Sequence, residues 1–292
     1  ADEGVRLREQ GIVMPIVVLN ADADSFELMI AKRLEPEIYS FNSLGTFISA
    51  VNESSESSYP VHIKFDTGMH RRGFAEDDIE GLAEILQREE STVIVRSVFS
   101  HLAAADVPQE DDFTRGQISA FGRMADALSG RIGYRPMRHV ANSAALERFP
   151  ESKFDMCRLG IGLYGISALD KNPLRPVSRL TTRIVQVKEL DDSQTVGYGR
   201  AGKLSRQTLL ATIPVGYADG LDRHLGQGAW AVEIAGKKAP VVGRICMDSC
   251  MVDVTGIDAA EGDEVIVFGG GEGNSIEDMA RVLGTIPYEV MT

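Results

Sequence analysis

A chain of 292 residues, 43% hydrophobic and 25% charged, is long enough to bury a substantial core, and its length favours about two domains. Its formal net charge of −13 argues against a nucleic-acid partner, because such binding depends on lysines and arginines that neutralise phosphates. No apolar run reaches the ~20 residues of a membrane-spanning helix and no leader opens the sequence, which predicts a cytoplasmic protein without membrane contact. Cys157, Cys246 and Cys250 lack paired metal-ligand spacing, so we expect free thiols and no metal site.

The first half of the chain alternates short β-branched runs with longer amphipathic ones, which is the order of a parallel sheet covered by helices. Helices are predicted over residues 2–10, 76–89 and 113–128, the second with acidic residues in its first turn. The predicted strands cover residues 16–19, 38–41, 61–65, 94–100, 138–141 and 156–159.

Polar side chains stand at or just past the carboxyl ends of four of these strands, namely Lys64, His101, Asn142, Ser143 and Arg158. This distribution is typical of a (β/α)8 barrel, in which functional groups gather at that end of the strands. Only six strands are found where eight are needed. We therefore predict an N-terminally truncated barrel over residues 1–176, with its first two strands missing.

The pattern changes after about Pro176, where runs rich in Val and Ile alternate with short polar turns. We predict an all-β second domain over residues 177–292, truncated at its C-terminal end. One late helix is predicted from Ser275, whose hydroxyl can cap a helix with an acid three residues on. The predicted strands cover residues 181–190, 209–215, 230–234, 239–242, 250–254 and 264–268.

Gly160, Gly162 and Gly165 match the glycine spacing of a dinucleotide-binding turn. That turn also needs an acidic residue about 20 positions on, and residues 174–187 contain no Asp or Glu. The backbone amides instead suit a single phosphate, and Arg158 suits a neutral acceptor atom. The pattern therefore indicates a phosphate-bearing cofactor other than NAD.

Seven segments, spread over both predicted domains, resemble in their order the motifs of the alanine racemase family. The resemblance implies a pyridoxal 5′-phosphate (PLP) barrel followed by a β-domain, in a homodimer with active sites at the subunit interface. It also implies an isomerase that interconverts L- and D-alanine and supplies D-alanine for peptidoglycan. The segments are residues 62–74 (HIKFDTGMHRRGF), 100–106 (SHLAAAD), 142–145 (NSAA), 158–161 (RLGI), 216–220 (GYADG), 246–248 (CMD) and 288–289 (YE).

The resemblance assigns the cofactor's phosphate to Tyr288, Ser143 and the amides of Gly160 and Ile161, which are hydrogen-bond donors. It places Arg158 against the pyridine nitrogen. An arginine gives up its proton only with difficulty, so the ring stays neutral and is a weaker electron sink than one with an acidic partner. We expect this choice to suppress transamination in favour of returning the proton.

Racemisation needs one base on each face of the α-carbon, and the resemblance assigns these roles to the lysine that carries the cofactor and to Tyr217 of the partner subunit. A tyrosine titrates near pH ~10, so it needs a neighbouring positive or hydrogen-bonding group, for which His101, at the cofactor site, is the candidate. Arg71 would contact the cofactor's phenolic oxygen or the substrate carboxylate, and Met247 would line the carboxylate site. Asp248 suits either a turn or the pocket.

Lys64 is implied to be a carbamylated lysine that positions Arg71, not the lysine that carries the cofactor. The latter belongs to a Lys-x-x-x-Tyr-Gly motif, which this sequence does not contain. We therefore expect a fragment that is inactive as it stands. Arg72 and Ser249 depart from the family pattern without removing a catalytic group.

Two alternatives stay open beside the alanine racemase reading. One is a broad-specificity amino-acid racemase, which the relative turnover of alanine, serine, lysine and arginine would distinguish. The other is a non-catalytic PLP-binding or dimer-partner module that lacks the lysine by nature. An intact Tyr217 disfavours this module, because binding alone needs no second base.

Overall fold

The computed structural model describes residues 1–169 and 173–292, and the chain divides into two compact units. The α/β unit comprises Ala1–Gly162 with the described residues of Ser167–Pro173. The β unit comprises Leu163–Ile166 and Leu174–Thr292. Among the described residues, no helix is both long enough and apolar enough to cross a membrane.

The α/β unit contains a parallel sheet of five strands that lie side by side in chain order. Helices lie between the strands in sequence, as the alternating pattern predicts. The strands are β1 Val17–Val18, β2 Glu35–Ile38, β3 Tyr59–Lys64, β4 Val93–Phe99 and β5 Met137–His139, and the helices are α1 Asp2–Glu9, α2 Phe26–Ala31, α3 Phe41–Glu53, α4 Ile79–Arg88, α5 Asp111–Ile132 and α6 Ser143–Arg148.

Aromatic side chains form much of the core of this unit. Phe47 of α3 packs edge-on against Phe26 of α2 and Tyr59 of β3, with ring centroids 5.0 and 5.4 Å apart. The Tyr59 hydroxyl donates a hydrogen bond to the Leu34 carbonyl at 3.0 Å, so its polar end is satisfied in the interior. Burying such a side chain contributes roughly 1.5–3 kcal/mol, which ties the helical layer to the sheet.

Two of the predicted strands were wrong. The strand predicted at 38–41 lies earlier, at Glu35–Ile38, because the Ser40 side chain caps α3 and so starts a helix at Phe41. Residues 156–159 form no strand; Asp155 and Met156 both direct their amides at the Arg138 carbonyl. One carbonyl cannot serve two amides in a regular ladder, so this segment is only tethered to β5. Arg158 therefore does not end a strand.

The β unit contains an antiparallel sheet of seven strands in the order β6-β14-β11-β12-β13-β10-β7. Its two end strands are consecutive in the chain. Between them, the Ile184 amide donates to Asp263, just before β14, and the Val185 amide donates to Thr212 of β10, so one run of chain changes its partner from one end of the sheet to the other and the sheet must curl. The run predicted at 181–190 is thus two strands. The seven strands are β6 Leu180–Arg183, β7 Gln186–Leu190, β10 Thr208–Ile213, β11 Ala231–Ile234, β12 Lys237–Val242, β13 Cys250–Asp253 and β14 Glu264–Phe268, and a separate hairpin is formed by β8 Thr195–Val196 and β9 Gly202–Lys203.

The late helix is confirmed as α7, Ile276–Leu283, with the Ser275 hydroxyl accepting from the Asp278 amide. A second helix, α8 at Pro287–Met291, follows it and is not predicted by the sequence pattern. A parallel sheet with helices, followed by an antiparallel β unit, agrees with the predicted fold class.

Candidate active site

The carboxyl ends of β3, β4 and β5 bring several of the predicted residues to one edge of the parallel sheet. Lys64 is the last residue of β3, His101 follows β4 by two residues, and Ser143 begins α6 shortly after β5. Neighbouring parallel strands have their carboxyl ends at the same edge of a sheet, so these side chains share one edge. Lys64 and Ser143, for example, are 79 positions apart in the chain.

Ser143 stands at the centre of a small group of hydrogen-bond donors. The Asn142 side chain caps α6 by accepting from the Ala145 amide at 2.9 Å. The Ser143 hydroxyl oxygen accepts from the amides of Gly160 at 2.9 Å and Gly162 at 3.2 Å. The Gly162 amide, which the resemblance does not assign, therefore belongs to this group. Converging amides and a hydroxyl at a helix start are suited to an anion.

The Arg158 guanidinium is held rigidly behind this edge of the sheet. Its Nη2 donates to the carbonyls of Ser100 at 2.6 Å and Val140 at 3.2 Å. Its Nη1 donates to the His139 carbonyl at 3.1 Å and to His139 Nδ1 at 2.6 Å. Burial lowers the pKa of Arg158 to about 10, so the side chain is still a cation at neutral pH. None of these four bonds uses Nε.

His139 is neutral in this setting. Its ring stacks on Phe99 with centroids 5.0 Å apart and planes within 4°. Burial, and then the positive charge of Arg158, lower the pKa of His139 to about 3. A neutral imidazole can accept a hydrogen bond at Nδ1, which is what the donor-only Arg158 requires.

Lys64 forms an ion pair with a residue that the sequence pattern does not single out. Its Nζ lies 2.8 Å from Glu37 Oε1, and the Glu37 side chain is completely buried. The other carboxylate oxygen of Glu37 accepts from the Asn20 amide at 2.6 Å. Glu37 was missed because the predicted strand begins at residue 38, whereas β2 covers Glu35–Ile38. Glu35 and Glu37, spaced by two before Ile38, are the signal that could have revealed it.

His101 is also neutral at physiological pH. Burial lowers its pKa to about 4, and the positive charges of Arg158, Arg71 and Lys64 act in the same direction. Its carbonyl accepts from Gln117 Nε2 at 3.2 Å, which anchors the segment after β4. His101 can therefore offer a hydrogen bond but not a positive charge. Arg71 is exposed.

Two of the predicted site residues come together in the β unit. The Tyr217 amide donates to the Cys246 carbonyl at 3.0 Å, and the Ala218 amide donates to the Met247 carbonyl at 3.0 Å. A Cβ on Gly216 would stand 2.2 Å from the Met247 carbonyl oxygen, so only glycine allows this approach. The two loops thus present Tyr217 and Met247, 43% and 54% exposed, side by side. Tyr288 lies in α8, and Asp248 is exposed.

Comparison with known proteins accounts for both parts of the chain. A family model described as "Alanine racemase, N-terminal domain" matches residues 1–168, and one described as "Alanine racemase, C-terminal domain" matches residues 177–292. The chain belongs to the alanine racemase family.

Individual alanine racemases agree with this assignment. Alanine racemase 1 of Clostridium acetobutylicum is 36% identical over 99% of this chain and 76% of its own length. The alanine racemase of Clostridium novyi is 38% identical over 99% of this chain and 76% of its own. The solved structure of the alanine racemase of Clostridium difficile 630 has a TM-score of 0.91 at 33% identity, covering 99% of this chain and 76% of that one. This likeness confirms the predicted barrel and β-domain classes.

Proposed function

We propose that the reaction is PLP-dependent racemisation of alanine, with one proton-transferring group on each face of the α-carbon, and that this chain supplies the group on one of the two faces. The observation that carries the proposal is Arg158, a partly buried cation held by four hydrogen bonds next to the donor group around Ser143. Its Nε–H is a donor and never an acceptor, so it suits an unprotonated ring nitrogen. A cofactor with both a phosphate and such a nitrogen fits these residues.

The phosphate end of PLP would be held by the Ser143 hydroxyl together with the amides of Gly160 and Gly162. Both amides donate to the Ser143 oxygen, at 2.9 and 3.2 Å, so a bound phosphate would replace these bonds with bonds to its own oxygens. The Ile161 amide and Tyr288, assigned by the resemblance, add further donors in this proposal. Bound PLP supplies an electron sink that makes the α-proton of an amino acid acidic.

Tyr217 would hold or take the proton on one face, as part of a homodimer in which it reaches the site of the partner subunit. His101 is neutral, so it supports Tyr217 by a hydrogen bond rather than by charge. The opposite face belongs to the lysine of the family motif. Arg71 and Met247 would contact the substrate carboxylate, Arg71 by charge and Met247 by its backbone amide.

Lys64 already has a counter-charge in Glu37. Carbamylation, which the resemblance implies, would set a second anion against this buried carboxylate. The ion pair would then be replaced by two like charges, which repel each other at this distance. We further propose that the D-alanine is made in the cytoplasm for peptidoglycan.

The proposal can be tested by following the α-proton of alanine in deuterium oxide. The purified chain is mixed with PLP and with L- or D-alanine, and the loss of the α-proton signal is measured by NMR. Tyr217 acts on one face, so we expect PLP-dependent exchange of at least one enantiomer even without the motif lysine. Tyr217→Phe should abolish this exchange while the absorbance of bound PLP is unchanged.

The same assay separates the alternatives. Exchange that is at least about tenfold faster with alanine than with serine, lysine or arginine supports alanine racemisation. Equal rates would indicate a broad-specificity racemase. Bound PLP with no exchange of either enantiomer would contradict a catalytic role and favour the binding module.

A further inference from the structure

A row of four hydrogen bonds crosses the sheet of the α/β unit from Arg158 to Glu35. Arg158 Nη1 lies 2.6 Å from His139 Nδ1, and His139 Nε2 lies 2.9 Å from Ser97 Oγ. Ser97 Oγ lies 2.6 Å from His62 Nδ1, and His62 Nε2 lies 2.7 Å from Glu35 Oε2. We call Glu35, His62, Ser97 and His139 the hydrogen-bonded row.

Arg158 sets the directions of the first two bonds in the row, and the single proton of the Ser97 hydroxyl sets the third. A guanidinium only donates, so His139 accepts at Nδ1 and carries its proton on Nε2. That proton is donated to Ser97 Oγ, and the serine hydroxyl donates its own proton to His62 Nδ1. His62 then carries its proton on Nε2 and donates it to Glu35. In this arrangement each bond of the row has one donor and one acceptor, and the row ends on Glu35.

The row lies in the interior of the sheet, where polar side chains lower the stability of the fold unless they are paired. Glu35, His62, Ser97 and His139 come from β2, β3, β4 and β5 respectively, and each is at most 6% exposed. Four polar side chains are thus buried on adjacent strands, and each must be hydrogen-bonded to offset its loss of hydration. They are all paired, and the row ends on the residue that faces the cofactor in the proposed function.

We propose that the hydrogen-bonded row positions Arg158 and that Glu35, at its far end, strengthens the hold. The carboxylate draws each proton of the row towards itself, so electron density at His139 Nδ1 rises and this atom becomes a better acceptor for Arg158. Glu35 is therefore a positioning residue that acts through three intervening side chains. Its other oxygen lies 3.8 Å from Arg96 Nη1, at the surface. This inference rests on the proposed function for the role of Arg158 at the cofactor, whereas the row itself is observed in the structure.

The row can be tested without cofactor or substrate, by ¹⁵N NMR of the histidine side chains at neutral pH. In the unaltered chain we expect His139 to be neutral, and both His139 and His62 to carry a proton on Nε2. A His139 that is charged, or that carries its proton on Nδ1, would overturn the proposal. The result is independent of any activity, so it stays interpretable even if no exchange with alanine is found.

Transmission along the row is tested by a pair of substitutions. Glu35→Gln keeps an oxygen acceptor for His62 but removes the charge, and it should shift the ¹⁵N resonances of His139. The exposed Glu84→Gln is the matched control and should leave them unchanged. In a Ser97→Ala background the effect of Glu35→Gln on His139 should disappear, because the row is interrupted. An equal shift of the His139 resonances with and without Ser97 would show that the charge of Glu35 acts directly through space, and it would contradict transmission along the hydrogen-bonded row.

The functional arm uses the α-proton exchange assay with PLP. Coupling of this kind typically changes a rate by between about twofold and thirtyfold, so Glu35→Gln should lower exchange within that range. Transamination should rise relative to exchange, because Arg158 is held less firmly. A loss of folded protein would lower both rates equally, so the ratio distinguishes the two explanations. Unchanged exchange together with unchanged His139 resonances would contradict a positioning role for Glu35.

Discussion

At the residue scale, the identity of the side chain proposed to face the cofactor nitrogen has a chemical consequence. Arg158 is a donor-only cation, whereas an acidic residue would share a proton with the ring nitrogen and make the ring a stronger electron sink. Four hydrogen bonds to carbonyls and to His139 fix its Nη atoms, so the fold holds the guanidinium in one position.

Replacing Arg158 should therefore change the partition of the reaction. We expect Arg158→Glu to raise transamination relative to α-proton exchange by about tenfold or more, the effect of one pKa unit at the ring nitrogen. Pyruvate formation measures the first process and loss of the α-proton signal the second. Arg158→Lys, which keeps the charge but not the planar fork, is the matched control and should lower both rates together. An unchanged ratio in Arg158→Glu would refute the idea.

The buried histidines predict a loss of stability in mild acid. The pKa of His139 is about 3 and that of His101 about 4 in the folded chain, both below the ~6.5 of an unfolded chain. Between these values the unfolded state binds more protons. The free energy of unfolding should therefore fall as pH is lowered from about 6.5 to 4, by up to ~1.4 kcal/mol per pH unit and histidine.

Urea unfolding at several pH values measures this slope. His139→Asn should reduce it, because one of the two imidazoles with a lowered pKa is gone. His224→Gln is the control: His224 is exposed, and its replacement should leave the slope as it is. A free energy of unfolding that is flat from pH 6.5 to 4 would mean that neither histidine is held neutral.

The residue scale also shows the limits of motif reading. Lys64, His101, Ser143 and Arg158 are all recognisable in the sequence, because each lies in a motif of the family. Glu35 and Glu37 lie in none, and an acid ahead of a strand is normally read as a solvent-exposed residue. Their burial depends on His62 and Lys64, their partners on the neighbouring strand.

At the scale of elements, two loops of the β unit depend on one glycine. Gly216 lies against the carbonyls of Cys246 and Met247, and a Cβ there would stand 2.4 and 2.2 Å from their oxygens. These are backbone atoms, which cannot move aside as a flexible side chain can. The pairing that places Tyr217 beside Met247 thus requires the smallest residue.

We therefore expect Gly216→Ala to separate the two loops and to destabilise the chain by about 1–3 kcal/mol, the usual cost of overpacking. Exchange of the alanine α-proton should fall more than the loss of folded protein explains, because Tyr217 is displaced. Gly122→Ala, in α5 with no atom within 4 Å of the new Cβ, is the control and should be neutral or stabilising. Wild-type exchange in Gly216→Ala would argue against the role of Tyr217.

Elements were predictable where their signal is local. The capped helix after Ser275 and the strand Glu264–Phe268 agree with the sequence pattern, since capping and β-branched runs act within a few residues. The segment at 156–159 has the composition of a strand but lacks a partner with matching hydrogen bonds. Pairing is a property of two segments, so a single segment does not reveal it.

At the scale of the whole molecule, the proposed homodimer makes a quantitative prediction. If Tyr217 serves the cofactor site of the partner subunit, a Tyr217→Phe chain and an Arg158→Ala chain carry complementary defects. Random mixing makes half of the dimers hybrids, each with one intact site, so about a quarter of wild-type exchange should return. Each variant alone should be inactive.

Subunit exchange in the mixture is verified with two differently tagged chains and co-purification. Hybrid dimers without recovered exchange would show that Tyr217 acts within its own chain. A chain that stays monomeric during sedimentation would contradict the proposed homodimer directly.

The sequence by itself determined the family and the order of the α/β and β parts, and it supplied most of the residues of the proposed site, because these follow from local composition and from motifs a few residues long. Only the tertiary structure decided how Arg158 is held. The partners in the hydrogen-bonded row are 27, 35 and 42 positions apart, and they meet because the pairing of four neighbouring parallel strands brings them within reach of one another. Register depends on the packing of the whole sheet, so no short stretch of sequence contains it.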